Sequence, residues 1–134
     1  VQWTYGKAGI NFVKKMLDAA RAGKPLRVVD DQFGSPTATA EAAEVLCQMI
    51  QLPKFPEGVY HLAARGYVNR FEMARIIFDT LKMNVNLSPC KTSDFPSAAK
   101  RPLNSRFDCR RLEGLLGVEM RPWQESLRKY LETI

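Results

Sequence analysis

The chain has 134 residues, 46% of them apolar and 25% charged. That is enough for one hydrophobic core of ordinary size, a single domain over 1–134, and it excludes the disordered, collagen-like and coiled-coil classes. The formal charge of +6 is uneven: residues 1–27 carry six Lys/Arg against one Asp, residues 28–90 sum to −2 and residues 91–134 to +3. Such a balance favours an anionic ligand, without separating nucleic acid from nucleotide or phosphate ester. No apolar run approaches a membrane span and the basic start lacks a signal-peptide core, so a cytoplasmic chain with no membrane partner is expected. Three widely spaced cysteines and one histidine, His61, argue for no metal site and for reduced thiols.

The opening run VQWTYG enters as half a strand, as if its upstream partner had been removed. Helical spacing of Ile10, Val13, Leu17 and Ala20 predicts a first helix over 10–22, stopped by Gly23 and Pro25. Leu26–Val29 reads as a strand running into the loop DDQFGSP, and a second helix over 40–51 is expected to bury Ala43, Leu46, Cys47 and Ile50. Val59–Leu62 reads as a buried strand, which would make His61 a structural histidine. Asn69 and Glu72 form the signature of a capped helix carrying Phe71, Ala74, Ile77, Phe78 and Leu81 on one stripe. Residues 84–105, punctuated by Pro89, Pro96 and Pro102, are too long for a structureless loop and point to function or partial strand. Asp108 is expected to cap a short helix with Leu112, Leu115 and Leu116. Pro122 opens the last helix, with Trp123, Leu127, Tyr130 or Leu131, and Ile134 inward. The methionines at 16, 49, 73 and 83 are spaced as packing residues. Strands alternating with helices argue for α/β, yet two clear strands are too few for a complete doubly wound sheet. A partial Rossmann-like fold with few strands and four to five helices is expected.

Five segments in register, VQWTYG (1–6), NFVKKML (11–17), VVDDQFGSPT (28–37), GVYHLA (58–63) and AKRPLNSRFD (99–108), together resemble the C-terminal part of the dTDP-4-dehydrorhamnose reductase family, extended short-chain dehydrogenase/reductases. The resemblance implies a substrate-binding half whose N-terminal Rossmann partner holds NADPH and supplies a Tyr-x-x-x-Lys pair. Neither element is in this sequence: no G-x-G-x-x-G occurs, and the residues four after the tyrosines are Gly9, Ala64, Phe71 and Ile134. No catalytic or cofactor-binding residue is therefore expected here, and the chain alone should be inactive. After GSPT it continues as ATAEAAEVL, where the family carries an acidic residue and a short Asp-Leu-Ala run, which puts the contacts of that helix in question.

By the same resemblance Trp3 lies against the deoxysugar ring, offering a flat apolar face and one N–H; a core tryptophan is the alternative. Arg101, with a planar fork suited to a diphosphate, is a better candidate than Lys100 for the nucleotide, and Asn104 and Ser105 add neutral donors beside it. Asn11 at a helix start is either a polar contact to the ligand or simply a cap. Gln32 is a candidate polar contact, whereas Asp30 and Asp31 would repel a diphosphate and are expected to hold the loop.

The implied activity is the NADPH-dependent reduction of dTDP-4-dehydro-6-deoxy-L-mannose to dTDP-L-rhamnose, with a dTDP-sugar, the Rossmann half and a second copy in a homodimer as partners. Proteins of this kind also serve as non-catalytic regulatory partners of methionine adenosyltransferase, which is the second reading. A basic nucleic-acid binder is the third, opposed by aromatics at core spacing and not among the basic loop residues.

Overall fold

The computed structural model describes residues 1–95 and 99–134; Pro96 lies outside them. After a two-residue strand β1 (Thr4–Tyr5), the helix α1 (Phe12–Arg21) begins where a side chain can satisfy a first-turn amide: Asn11 Oδ1 accepts from the Lys14 N–H at 3.1 Å. Val13 and Leu17 turn inward, but Ile10 precedes the cap, lies outside the helical register and is 84% exposed. Gly23, at φ +69°, supplies the left-handed residue that ends the helix.

The strands β2 (Leu26–Val29), β3 (Phe33–Gly34) and β4 (Thr37–Ala38) follow, and β4 feeds directly into α2 (Thr39–Ile50). This helix buries Glu41, Ala42 and Val45, whereas the expected face of Ala43, Leu46, Cys47 and Ile50 is exposed, Ile50 at 82%. Both stripes have helical spacing, and a glutamate on the true one disguises it. Glu41, only 5% exposed, accepts from the Ser126 hydroxyl at 2.7 Å and from the Arg121 N–H at 3.1 Å, while Arg121 pairs through its guanidinium with Glu44 at 2.9 Å.

The Val59–Leu62 run does not form the expected strand. Val59 is 75% exposed, and His61 is exposed and stacks on Phe107 with centroids 4.4 Å apart. Only Leu62, Ala63 and Ala64 are buried, and the Ala64 N–H donates to the Thr37 hydroxyl at 3.1 Å, a side chain taking the place of a ladder partner.

Strand β5 (Val68–Asn69) runs straight into α3 (Arg70–Thr80), capped by Asn69 Oδ1 accepting the Glu72 N–H at 2.7 Å. The reciprocal half of a capping box is absent from the described residues' bonds, because the Glu72 carboxylate turns outward to Arg75. Met73, Ala74, Ile77 and Phe78 are buried as the stripe predicts. Strand β6 (Leu87–Cys90) and a 3-10 turn (Thr92–Asp94) occupy the proline-punctuated stretch. The helix α4 (Arg110–Leu116) has Cys109 at its cap position, with Asp108 accepting from the Arg110 N–H, and ends at Gly117, φ +64°. Pro122 precedes α5 (Trp123–Leu131), which buries Trp123, Leu127, Tyr130 and Leu131; Ile134 lies past its end and is exposed.

The strands pair in twos: β1 parallel to β4, β2 parallel to β6 from Leu26↔Leu87 to Val29↔Cys90, and β3 antiparallel to β5. Pro89 sits in β6, which has one strand partner, the edge position proline tolerates. The helix α3 packs on β2, β6, α1 and α5, and its Met73, Ile77 and Phe78 join Tyr5, Val13, Leu17, Trp123 and Leu127 in the main core. A smaller cluster of Ala42, Val45, Leu62, Leu112 and Met120 lies under α2 and α4. Met16 and Met83 pack against the first and Met49 against the second. This is a mixed α/β partial Rossmann-like fold, and no helix of the described residues is long and apolar enough to cross a membrane.

Candidate functional site

Phe33 is the hinge pin of the site. Its N–H donates to the Leu103 carbonyl at 2.7 Å and its carbonyl accepts from the Ser105 N–H at 2.8 Å, while β3 pairs on its other side with β5 through Phe33↔Asn69 and Gly34↔Val68. The loop DDQFGSP, the loop carrying Lys100 and Arg101, and the start of α3 are thereby gathered at one place. A second clasp reinforces it: Asp31 accepts from the Thr92 N–H and, at 2.6 Å, from its hydroxyl, and Asp30 pairs with Lys91 at 2.8 Å. The Thr92 bonds hold the Asp31 carboxyl below its ordinary pKa. Both aspartates hold loops together, as expected.

Against this corner lies Trp3, at φ +45° and half-buried. A methyl group at Gly34 would stand 2.6 Å from the indole Cε2, so glycine there is the condition for the tryptophan's position. The Arg70 guanidinium, on the first residue of α3, lies 3.7 Å from the Trp3 ring centroid and 4.9 Å from that of Phe12. Two aromatic faces thus fix its plane. Arg70 and Arg101 make no ion pair with a carboxylate among the described residues. Burial, and then the neighbouring charge of Arg101, bring the Arg70 pKa down to about 10. The Arg70 guanidinium, stacked on two rings and without a carboxylate, is an electrostatic vacancy for an anion. Beside them a cavity of about 270 Å³ is lined by Phe12, Met16, Gln32, Arg70 and Phe95 among others.

Trp3 and Arg70 therefore stand at one corner, with Gln32 on the cavity that Arg70 also lines, and Arg101 lies on the loop that the Phe33 clasp holds beside β3. Gln32 Nε2 also donates to the Thr92 hydroxyl at 3.1 Å. Asn11 uses its Oδ1 as the cap of α1 and donates its Nδ2 to the Gly6 carbonyl at 2.9 Å. Asn104 is exposed and its Oδ1 accepts from the Arg106 N–H and Nε, while Ser105 contributes its backbone to the Phe33 clasp. Arg70 escaped the sequence reading. The available signal was electrostatic: a cation in the first turn runs against the helix dipole and needs another reason to be there.

The turn from β1 to α1, with Gly6 and Gly9, is tied internally. Lys14 Nζ donates to the carbonyls of Lys7 and Gly9, and the Asn11 amide to that of Gly6. A dinucleotide phosphate needs donors there, and this turn presents acceptors already engaged. This turn does not fit a dinucleotide phosphate.

The family described as RmlD substrate binding domain matches residues 1–134. The sequence is 36% identical to the spore coat polysaccharide biosynthesis protein SpsK of Bacillus subtilis, over 97% of this chain and 44% of that protein. It is also 36% identical to a dTDP-4-dehydrorhamnose reductase of Aggregatibacter actinomycetemcomitans, over 94% of this chain and 46% of that protein. The fold superposes with a TM-score of 0.88, at 35% identity, on the crystal structure of dTDP-4-dehydrorhamnose reductase from Bacillus anthracis in complex with NADP, covering 98% of this chain and 45% of that one. The chain spans about half the length of the curated relatives it matches.

Proposed function

We propose, because this chain belongs to the RmlD substrate binding domain family, that it is the substrate-side half of a cytoplasmic, NADPH-dependent dTDP-4-dehydrorhamnose reductase converting dTDP-4-dehydro-6-deoxy-L-mannose to dTDP-L-rhamnose. The observation that carries this reading is the corner where the Trp3 indole stacks on the Arg70 guanidinium, which has no carboxylate partner among the described residues. An apolar face next to a cation suits a deoxysugar joined to a phosphate group. On this reading Trp3 lies along the sugar, Arg101 meets the diphosphate, and Gln32, Asn11, Asn104 and Ser105 are the further polar candidates around the ligand. NADPH, the proton donor Tyr and its Lys belong to an N-terminal Rossmann half, and a homodimer is the assembly proposed. This half binds and orients; the reacting groups come from outside its 134 residues.

The test is turnover. A full-length protein carrying this chain should oxidise NADPH on addition of the dTDP-4-keto sugar, and the 134-residue chain should not. Turnover by the purified chain, or a full-length protein inert toward every dTDP-4-keto sugar, would overturn the reading.

A further inference from the structure

Among the described residues, Gln2 and Tyr5 are the side chains that hold polar atoms out of solvent without a hydrogen-bond partner. Tyr5 is 1% exposed and is a wall of a cavity of about 580 Å³, bounded by the end of β1, the start of α2 and one side of α5. This cavity shares no lining residue with the one beside Arg70. The rings of Tyr5 and Tyr130, with centroids 5.2 Å apart, and the methyl groups of Ala8, Ala38 and Ala40 give it a largely apolar surface.

The polar groups around it divide by sense. The acceptors are occupied: the Gly6 carbonyl takes the Asn11 amide and the Tyr130 hydroxyl, the Lys7 carbonyl takes Lys14 Nζ, and Glu41 takes the Ser126 hydroxyl and the Arg121 N–H, with Glu44 paired to the Arg121 guanidinium. The donors are not. The Tyr5 hydroxyl has no partner, Ala38 at the cap position leaves the first-turn N–H groups of α2 without a side-chain acceptor, and neither Lys7 nor Lys129 forms an ion pair among the described residues. Burial, and then the charge of Glu41, push the Tyr5 pKa far above its ordinary value, so the hydroxyl keeps its proton and donates. A buried hydroxyl left unmatched costs stability, and an acceptor from outside, seated at a helix N-terminus, removes that cost.

We infer that this cavity is a second binding site, for a small organic monoanion with a flat apolar body, an aromatic carboxylate in class, its ring against the tyrosines and alanines and its carboxylate toward the start of α2. The inference stands apart from the sugar-nucleotide reading. One negative charge is offset by Lys7 and Lys129. A second is opposed by Glu41, whose bonds come from a hydroxyl and a main-chain N–H and not from a cation.

NMR titration of the full-length protein carrying ring-labelled tyrosine, with benzoate, the doubly charged phenyl phosphate and the neutral benzyl alcohol, tests this. Benzoate should shift the Tyr5 and Tyr130 signals saturably and bind about tenfold or more tightly than either other probe, the worth of a charge-assisted contact. Tyr5→Phe, followed through Tyr130, should weaken benzoate by about 3 to 10-fold, the loss of one hydrogen bond, and should raise Tm without ligand because the unmatched hydroxyl is gone. Ala40→Trp, at an exposed position on the rim, should abolish the shifts while the protein stays folded. A Tyr5→Phe variant with lowered Tm and unchanged benzoate affinity makes the hydroxyl structural and overturns the site. Equal affinities for the three probes, no saturable shift from benzoate, or shifts that survive Ala40→Trp overturn it as well, and leave the sugar-nucleotide corner standing.

Discussion

Glu41 and Arg70 are both charges turned inward, and their neighbourhoods are opposites. Glu41 is the more deeply buried, yet its carboxylate is occupied by the Ser126 hydroxyl and the Arg121 N–H, with the Arg121–Glu44 pair beside it. Arg70 is covered by aromatic faces and repelled by Arg101. Burial of a charge therefore does not mark a binding site; burial with the partner left out does. The first corner locks α2 to α5, and the second leaves a stacked cation without a carboxylate partner among the described residues.

If that contrast is right, the largest stability effect belongs to the satisfied corner. Glu41→Ala removes two hydrogen bonds to a charged acceptor and should destabilise by about 3 kcal/mol, read as a lowered urea midpoint of the full-length protein, with nucleotide affinity per folded molecule unchanged. A loss of nucleotide affinity as large as that of an Arg70→Gln variant would erase the distinction between the corners.

Trp3→Ala should behave in the other way. On the proposed role, losing this wall should misplace the ketone by about 1 Å and cost on the order of 100-fold in kcat, and Trp3→Phe should keep part of the rate through its remaining apolar face. Single-turnover reduction and thermal unfolding on the same variants decide the matter: a sharp drop in Tm with normal turnover per folded molecule would make Trp3 a core residue.

The smallest effect is a pH dependence in the second clasp, between Asp31 and Thr92. Asp31 has a lowered pKa in the fold, so its contribution is complete above the ordinary carboxyl value of 3.8 and is lost as pH falls through the lowered one. Asp31→Asn should accordingly lower Tm at neutral pH and narrow its gap to the unchanged protein near pH 3. A gap that does not change with pH would mean that Thr92 has other support.

Local chemistry was legible wherever a short segment decides its own structure. The Asn69 cap and the stripe behind it specify α3, and Gly23 stops α1, without help from distant residues. The buried face of α2 was not legible, because Glu41 is a core residue only by virtue of Ser126, 85 positions away. The Val59–Leu62 run has strand composition but its neighbour offers a hydroxyl, Thr37, and no ladder. Of the site, Trp3 and Arg101 came from matching motifs and not from periodicity, and Arg70 came from neither, since a stacked arginine and a solvated one have the same letter. What separates them is Trp3, 67 residues earlier, held over Arg70 by a glycine.

The Phe33 clasp has one further consequence, for how this corner can change over time. Its bonds run between main-chain groups, so the position of the 103–105 loop is indifferent to the side chains at Leu103, Asn104 and Ser105; among single replacements, proline at 33 or 105 removes a donor. The scaffold is thus insulated from the residues it presents. Sequence drift at these three sites can retune what the corner prefers without moving the loop that carries Arg101.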